Sequence, residues 1–243
     1  MSKKVINQNT NYDSELLNSI DSNFVFNENP INRLKNTADN LKKDNSFDEI
    51  NKEKELNELK FQINSIDDCN LKDNSKKVVL GDGNINSPIM LVGEAPGAEE
   101  DSVGKAFLGE VGDLLKKMLN AINIKKEDIY ITYAVNFRPQ EDRKPTTIEI
   151  KRYSQFLQKQ ISIIKPKIII LMGSTAMESL TGLKNKISKE RGKWKEIIVK
   201  NTNYNVIITF NPSYLLRVPE NKKYSWEDLK KIKQKIADLK LNI

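Results

Sequence analysis

Three features of the sequence predict an α/β protein, a three-layer α/β/α sandwich around a central, mainly parallel four-stranded sheet. Apolar, β-branched runs recur near residues 89, 129, 167 and 206, and between them lie stretches whose apolar residues repeat at helical spacing. Strands that alternate with helices pair in parallel through right-handed crossovers and leave helices on both faces of the sheet. The third feature is the nearly uninterrupted run Lys167 to Met172 (KIIILM), the mark of a strand covered on both sides.

Residues 1 to about 45 are rich in Asn, Ser, Asp and Lys, a composition that buries little and predicts a polar, mobile N-terminal extension. Over 46–65, Ile50, Leu56, Leu59, Phe61 and Ile63 predict an amphipathic helix that covers the domain that follows, and that domain is expected to span 66–243. Lys77 to Leu80 reads as a short strand and Gly81 to Asn84 as a turn. Ile89 to Val92 is a buried strand. Phe107 to Ile122 places Val111, Leu114, Leu115, Met118, Leu119 and Ile122 on one helical face, and Ile129 to Val135 is the next strand. A hydroxyl at Thr146 or Thr147 caps a helix that runs to Ile164 and is stopped by Pro166. Gly173-Ser174 opens a helix through Leu180, a hairpin strand near Ile197 to Val199 precedes the strand at 205–210, and Trp226 to Leu241 closes the chain as a helix.

Composition removes whole classes of chemistry. The chain has no histidine, which excludes Ser-His-Asp and Cys-His catalysis, His-ligated zinc and imidazole acid-base work. Cys69 is its one cysteine, so it has neither an internal disulfide nor a multi-thiolate metal site. Catalysis must then use carboxylates, amides, hydroxyls, ammonium groups or the backbone. Lys and Arg number 40 against 33 Asp and Glu, and the formal charge of +7 favours a polyanionic partner. No apolar run approaches the roughly 18 residues of a membrane span, and MSKKVINQNTNYD has no apolar core of a signal peptide. A monomer in the cytoplasm, away from membranes, is the expectation.

Two loops carry the functional signal. Gly93-Glu94-Ala95-Pro96-Gly97-Ala98-Glu99-Glu100-Asp101 follows the strand ending at Val92, and its glycines allow close backbone approach while Pro96 fixes one φ between them. Asn211-Pro212-Ser213-Tyr214-Leu215-Leu216-Arg217 follows the strand ending at Phe210. Both lie at carboxyl ends of predicted parallel strands, where ligands bind in such sheets. The carboxylates of the first loop also have a plain structural use, since Glu99, Glu100 and Asp101 suit a helix N-terminus.

These blocks, together with Val79-Leu80-Gly81-Asp82-Gly83-Asn84, Gly104-Lys105-Ala106-Phe107-Leu108-Gly109, Phe137-Arg138-Pro139, Asp142-Arg143-Lys144-Pro145-Thr146, Arg191-Gly192-Lys193-Trp194 and the tail residues Lys223, Trp226 and Leu229, make residues 66 to about 230 resemble the family 4 uracil-DNA glycosylases of the wider uracil-DNA glycosylase superfamily. The resemblance implies a parallel sheet between helices and a DNA repair enzyme that flips uracil, or another deaminated base, out of DNA and hydrolyses its N-glycosidic bond. It implies catalytic roles for Glu94, Glu100 and Asn211. Base binding falls to Ala95, Phe107 as the stacking ring, Tyr133 and Asn136. DNA contacts fall to Ser213, Leu215, Leu216, Arg217, Arg138, Arg143 and Lys193. An apolar wedge and a stacking pocket repay the few kcal/mol that base extrusion costs.

The chain departs from the family pattern at three places. Asn211 stands where the family carries histidine; an amide still donates a hydrogen bond, but the loss of one well-tuned donor is worth about 10²- to 10³-fold in rate. Asn-Pro-Ser does occur in the mismatch-specific members of the superfamily. Tyr133 stands where the family carries the asparagine that reads uracil, and Asn136 lies three residues on, an offset that puts it on the opposite side of a strand. Of the four cysteines that hold a 4Fe-4S cluster in the family, only Cys69 remains, with Ile66, Phe137 and a residue near Tyr153 at the other places, so the cluster is expected to be absent. The same departures leave open an alternative, a catalytically lapsed relative that binds DNA or a repair or replication partner.

Overall fold

The computed structural model describes residues 37–67 and 69–243, with side chains from residue 49 onward. Of the predicted extension, residues 1–36 lie outside the described residues, and 37–45 are helical, so the helix expected over 46–65 begins at Thr37. Chain contacts separate the unit Asn45–Ile243, which is the one treated below.

The first helix, α1 (Thr37–Asn64), buries Leu56, Leu59 and Ile63 and leaves Ile50 and Phe61 exposed, so the buried stripe is narrower than the apolar composition suggests. A short turn of helix, α2 (Asn70–Asp73), leads to β1 (Gly81–Gly83). The expected strand at Lys77 to Leu80 is displaced by this β1, which falls where a turn was expected. The reason is register: Gly81 pairs with Thr132, whereas Val79 already bonds to the Asn136 carbonyl, beyond the strand that β1 joins. Next come β2 (Ile89–Gly93), α3 (Ala98–Val103), α4 (Gly109–Asn120) and β3 (Tyr130–Tyr133). Thr146 caps α5 (Thr147–Ile164) by accepting from Glu149 N at 3.3 Å, while the Glu149 carboxylate accepts from Thr146 N at 2.7 Å. This reciprocal pair satisfies two otherwise orphaned amides. The helix ends at Lys165 in the left-handed conformation, one residue before Pro166.

β4 (Ile168–Met172), α6 (Ser174–Thr181) and α7 (Ile187–Glu190) lead to the hairpin of β5 (Trp194–Val199) and β6 (Thr202–Thr209). Lys200 and Asn201, both at positive φ, form its two-residue turn. α8 (Pro212–Arg217) and α9 (Lys222–Asp238) complete the chain.

The sheet runs β1-β3-β2-β4-β6-β5. Its centre, β3-β2-β4-β6, is parallel and consists of the four strands predicted; β1 and β5 extend it antiparallel at the two edges. Every residue of β2 and β4 is buried, which accounts for their uninterrupted apolar sequence. One core layer sets Leu56, Leu59, Tyr153, Leu157 and Met177 against one face of the sheet; the other sets Leu115, Leu119, Leu215, Leu229 and Ile232 against the opposite face. Chain order reverses between β2 and β4, so the sheet has its topological switch point there, and ligands bind beyond the strand ends at such points.

Candidate active site

The carboxyl ends of the four parallel strands open into a cleft of about 570 Å³. After β2 it is lined by Glu94 to Gly97, after β3 by Pro139 and Asp142 to Pro145, after β4 by Gly173 to Thr175, and after β6 by Phe210, Asn211, Ser213, Tyr214 and Arg217. Phe107 and Tyr133 line it between these loops.

Glu94 is the focus of the polar contacts. Its Oε1 accepts from Thr175 N at 2.9 Å and from the Ser174 hydroxyl at 3.2 Å, and its Oε2 accepts from Asn211 Nδ2 at 3.3 Å. The carboxylate therefore sits at the N-terminus of α6, on the Thr175 amide and the Ser174 hydroxyl, where helix-end N–H groups favour negative charge. Asn211 joins the two loops. Its Oδ1 accepts from Ser213 N at 3.0 Å and caps α8, with Pro212 at the first helical position. The β2-β4-β6 order brings these two loops, 117 positions apart in the chain, to the same end of the sheet.

Glu100 is buried and holds two backbone amides and one phenol: Oε2 accepts from Gly97 N at 3.1 Å, Oε1 from Leu108 N at 3.0 Å and from the Tyr133 hydroxyl at 3.4 Å. It braces the segment that carries Phe107. Lys126 braces it from the other side, donating to the carbonyls of Ala106 and Phe107 at 2.8 and 2.7 Å. Burial lowers the Lys126 pKa, against the pull of Asp82, Glu127 and Glu100. Tyr133 accepts from Phe107 N at 2.9 Å, and its ring stacks on Phe107 with centroids 5.0 Å apart. Burial first, and then the Glu100 carboxylate, hold its phenol neutral well above the usual tyrosine range.

The other residues singled out in the sequence fall in different places. Asn136, expected to bind the base, does not line the cleft: β3 ends at Tyr133, and the Asn136 amide donates to the Val79 carbonyl at 2.9 Å on the β1 side. Leu215 is buried in the core against α4, so it has no surface to offer as a wedge, whereas Leu216 is half-buried and Arg217 exposed. Arg143 lines the cleft and pairs with Glu149 at 2.6 Å; Arg138 pairs with Asp142 at 2.7 Å, outside the lining, and lowers the Asp142 pKa through that hydrogen bond. Lys193 is exposed and lies apart from the cleft lining. Ser174, Thr175 and Lys126 were not singled out. Gly173-Ser174 at the end of a predicted parallel strand is the signal that finds the first two; nothing local marks Lys126.

The second loop is fastened from behind. Asp228 of α9, wholly buried, accepts from Thr209 Oγ1 at 2.7 Å and from Arg191 Nε at 3.0 Å, so α9, the turn before β5 and the end of β6 meet at one carboxylate next to Phe210 and Asn211. Burial raises the Asp228 pKa, and the Thr209 and Arg191 contacts oppose it.

Cys69 is buried with its Sγ 3.2 Å from the Tyr153 hydroxyl, and Phe137 and Phe156 lie against the Tyr153 ring with centroids 6.2 Å away. One thiol among three aromatic rings does not fit a cluster that needs four thiolates. No group of three or more Cys, His, Asp or Glu side chains is placed for a metal among the described residues.

Sheet order and cleft position define an α/β/α sandwich of the switch-point class, with a carboxylate and an amide facing each other across the mouth of the cleft. The chain belongs to the uracil DNA glycosylase superfamily, whose family model matches residues 80–233. It is 40% identical over 168 residues to the Type-4 uracil-DNA glycosylase of Thermotoga maritima, covering 68% of this chain and 86% of that protein. The Type-4 uracil-DNA glycosylases of Archaeoglobus fulgidus and Pyrobaculum aerophilum are each 33% identical, over 181 and 169 residues, covering 73% and 68% of this chain and 91% and 86% of theirs.

Proposed function

We propose that the protein is a DNA repair glycosylase that hydrolyses the N-glycosidic bond of uracil, or of another deaminated base, after that nucleotide has left the DNA stack. The observation that carries this reading is the contact between Glu94 and Asn211 across the mouth of the cleft, 3.3 Å long and made by loops from β2 and β6. Cleavage leaves positive charge on the sugar and negative charge on the departing base. Glu94, facing the sugar, stabilises the first and orients the attacking water; the second amide hydrogen of Asn211 supports the second. Glu100 acts through position, holding the Phe107 segment rather than water. Arg217 and Lys144, both exposed in the lining of the cleft, attract phosphates, and Leu216 replaces the wedge role that buried Leu215 does not fill.

The rest of the reading is that of a monomer working in the cytoplasm without a metal cluster. The aromatic group around Tyr153 supplies the packing that a cluster would supply. No helix among the described residues is long and apolar enough to cross a membrane. The test is a single-stranded oligonucleotide with one uracil, incubated with the protein and then heated in alkali, which cleaves abasic sites. Strand cleavage by the parent and a loss of at least about 10²-fold in Glu94→Gln are expected. An uncleaved strand with the parent refutes the proposal.

A further inference from the structure

A ring that stacks a flipped base needs an open face, and Phe107 has none: it is 2% exposed, and Tyr133, lying almost parallel to it at 20°, is 3% exposed. The Tyr133 ring is fixed at its far end, where the hydroxyl accepts from Phe107 N at 2.9 Å and donates to Glu100 Oε1 at 3.4 Å. It is fixed at its near end by Gly93, on which a Cβ would stand 2.7 Å from Tyr133 Cδ1, Tyr133 Cε1 and Phe107 Cζ, so only the missing side chain there lets the two rings lie together. Both rings nonetheless border the cleft that holds Glu94 and Asn211.

We propose that Tyr133 is the specificity-determining residue of this site: in the unliganded protein it occupies the stacking face of Phe107 that a base would take, so the resting cleft fits a base-free deoxyribose and a base enters only by displacing the ring. The inference rests on the reading of the cleft as the seat of an extruded nucleotide. It assigns the resting protein a ligand class of its own, the abasic sugar in DNA, which is also the product of the proposed reaction. A bulky or fully hydrogen-bonded base must trade a stacked aromatic pair and two hydrogen bonds for its own contacts, whereas an abasic sugar trades nothing.

Binding separates these cases without catalysis. Fluorescence anisotropy of the full chain is measured with three oligonucleotides of one sequence, carrying at the central position tetrahydrofuran (an abasic mimic), 2′-deoxypseudouridine (a uracil joined through carbon, which cannot be hydrolysed) or thymidine. The parent is expected to bind tetrahydrofuran at least tenfold more tightly than pseudouridine. Tyr133→Ala should abolish or reverse that order through a gain of tenfold or more for pseudouridine, and Tyr133→Phe, which keeps the ring, should retain the parent's order. A parent that binds pseudouridine as tightly as tetrahydrofuran, while both exceed thymidine, overturns this inference and leaves the glycosylase reading intact. Equal affinity for all three overturns both.

Discussion

The position of Glu94 depends on a residue that has no side chain. Gly173 has φ 102° and ψ 171°, a region essentially confined to glycine, and a Cβ there would stand 2.4 Å from Glu94 Cδ, 2.6 Å from its Cγ and 2.8 Å from its Oε1. Gly173→Ala therefore acts twice. The backbone strain costs about 1–3 kcal/mol of stability. The clash moves the Glu94 carboxylate by about 1 Å away from Thr175 N, Ser174 Oγ and Asn211 Nδ2, and a shift of that size in a catalytic group costs about 10²-fold in rate. Gly182→Ala is the control, since Gly182 also has positive φ, at 67°, but nothing lies within 4 Å of its Cβ position. Stability by urea titration and single-turnover cleavage of the uracil oligonucleotide are measured for both. The expected pattern is a loss of stability in both variants, smaller in Gly182→Ala, and a loss of rate in Gly173→Ala alone. If Gly173→Ala cleaves within twofold of the parent, the placement of Glu94 by α6 is not what the reaction uses, and the mechanism proposed around it is wrong.

Asn211→Asp retains a good N-cap for α8 but replaces the donor to Glu94 with a second carboxylate, so cleavage should fall by about 10²-fold or more while the stability change stays within about 1 kcal/mol; equal losses in Asn211→Asp and Asn211→Ala would be the expected signature, with the alanine form less stable by about 1 kcal/mol. Arg217→Ala should lower the slope of log affinity against log salt by about 1 in DNA titrations, and an unchanged slope removes it from the phosphate contacts. Asp228→Ala leaves Arg191 without its carboxylate and Thr209 without its acceptor, and urea unfolding should show a loss of about 3–5 kcal/mol. Burial raises the pKa of Tyr130, Tyr133 and Tyr153 above the tyrosine value of about 10, so the folded state keeps protons that the unfolded chain releases; stability is intact below about pH 10 and falls above it by about 1.4 kcal/mol per pH unit for each. Tyr133→Phe should remove one such share of the alkaline slope in urea titrations between about pH 9 and pH 11.

What the sequence made legible follows from which interactions are local. The four parallel strands could be read because each is short, apolar and followed by helical spacing, and the meeting of Glu94 with Asn211 could be read because both sit at strand ends of one sheet. The place of Asn136 could not be read, because β3 ends at Tyr133 and the residues after it do not alternate: Ala134, Val135 and Phe137 all join one core layer, and the Asn136 amide turns to the Val79 carbonyl instead of the base site. Only half of the use of Glu100 could be read: its contact to Gly97 N is the local one of a helix N-terminus, whereas Leu108 and Tyr133 are brought to it by tertiary structure. Leu215 and Leu216 are equivalent by composition. A helix of six residues decides between them by turning one into the core and the other toward solvent, and no pattern that short has a readable phase.

Two of the departures from the family pattern lie four residues apart, at Tyr133 and Phe137, and they face opposite core layers: Tyr133 packs with Phe107, Leu115 and Phe210, and Phe137 with Cys69, Tyr153 and Phe156. The end of β3 thus sends one aromatic ring to each side of the sheet. On the far side, Phe137 closes the aromatic group around the lone thiol and makes its stability a matter of packing, so chelators should leave the melting temperature unchanged. On the cleft side, a ring of similar size fills the face of Phe107 and makes base binding a matter of displacement. The far ring lies outside the cleft lining, and a buried aromatic there gains its burial energy outright. The near ring gains the same burial energy, but every base that binds must repay it. Stability and base affinity are therefore opposed at Tyr133 and independent at Phe137. A substitution that shortens Tyr133 should lower the first and raise the second, and one that shortens Phe137 should lower the first alone.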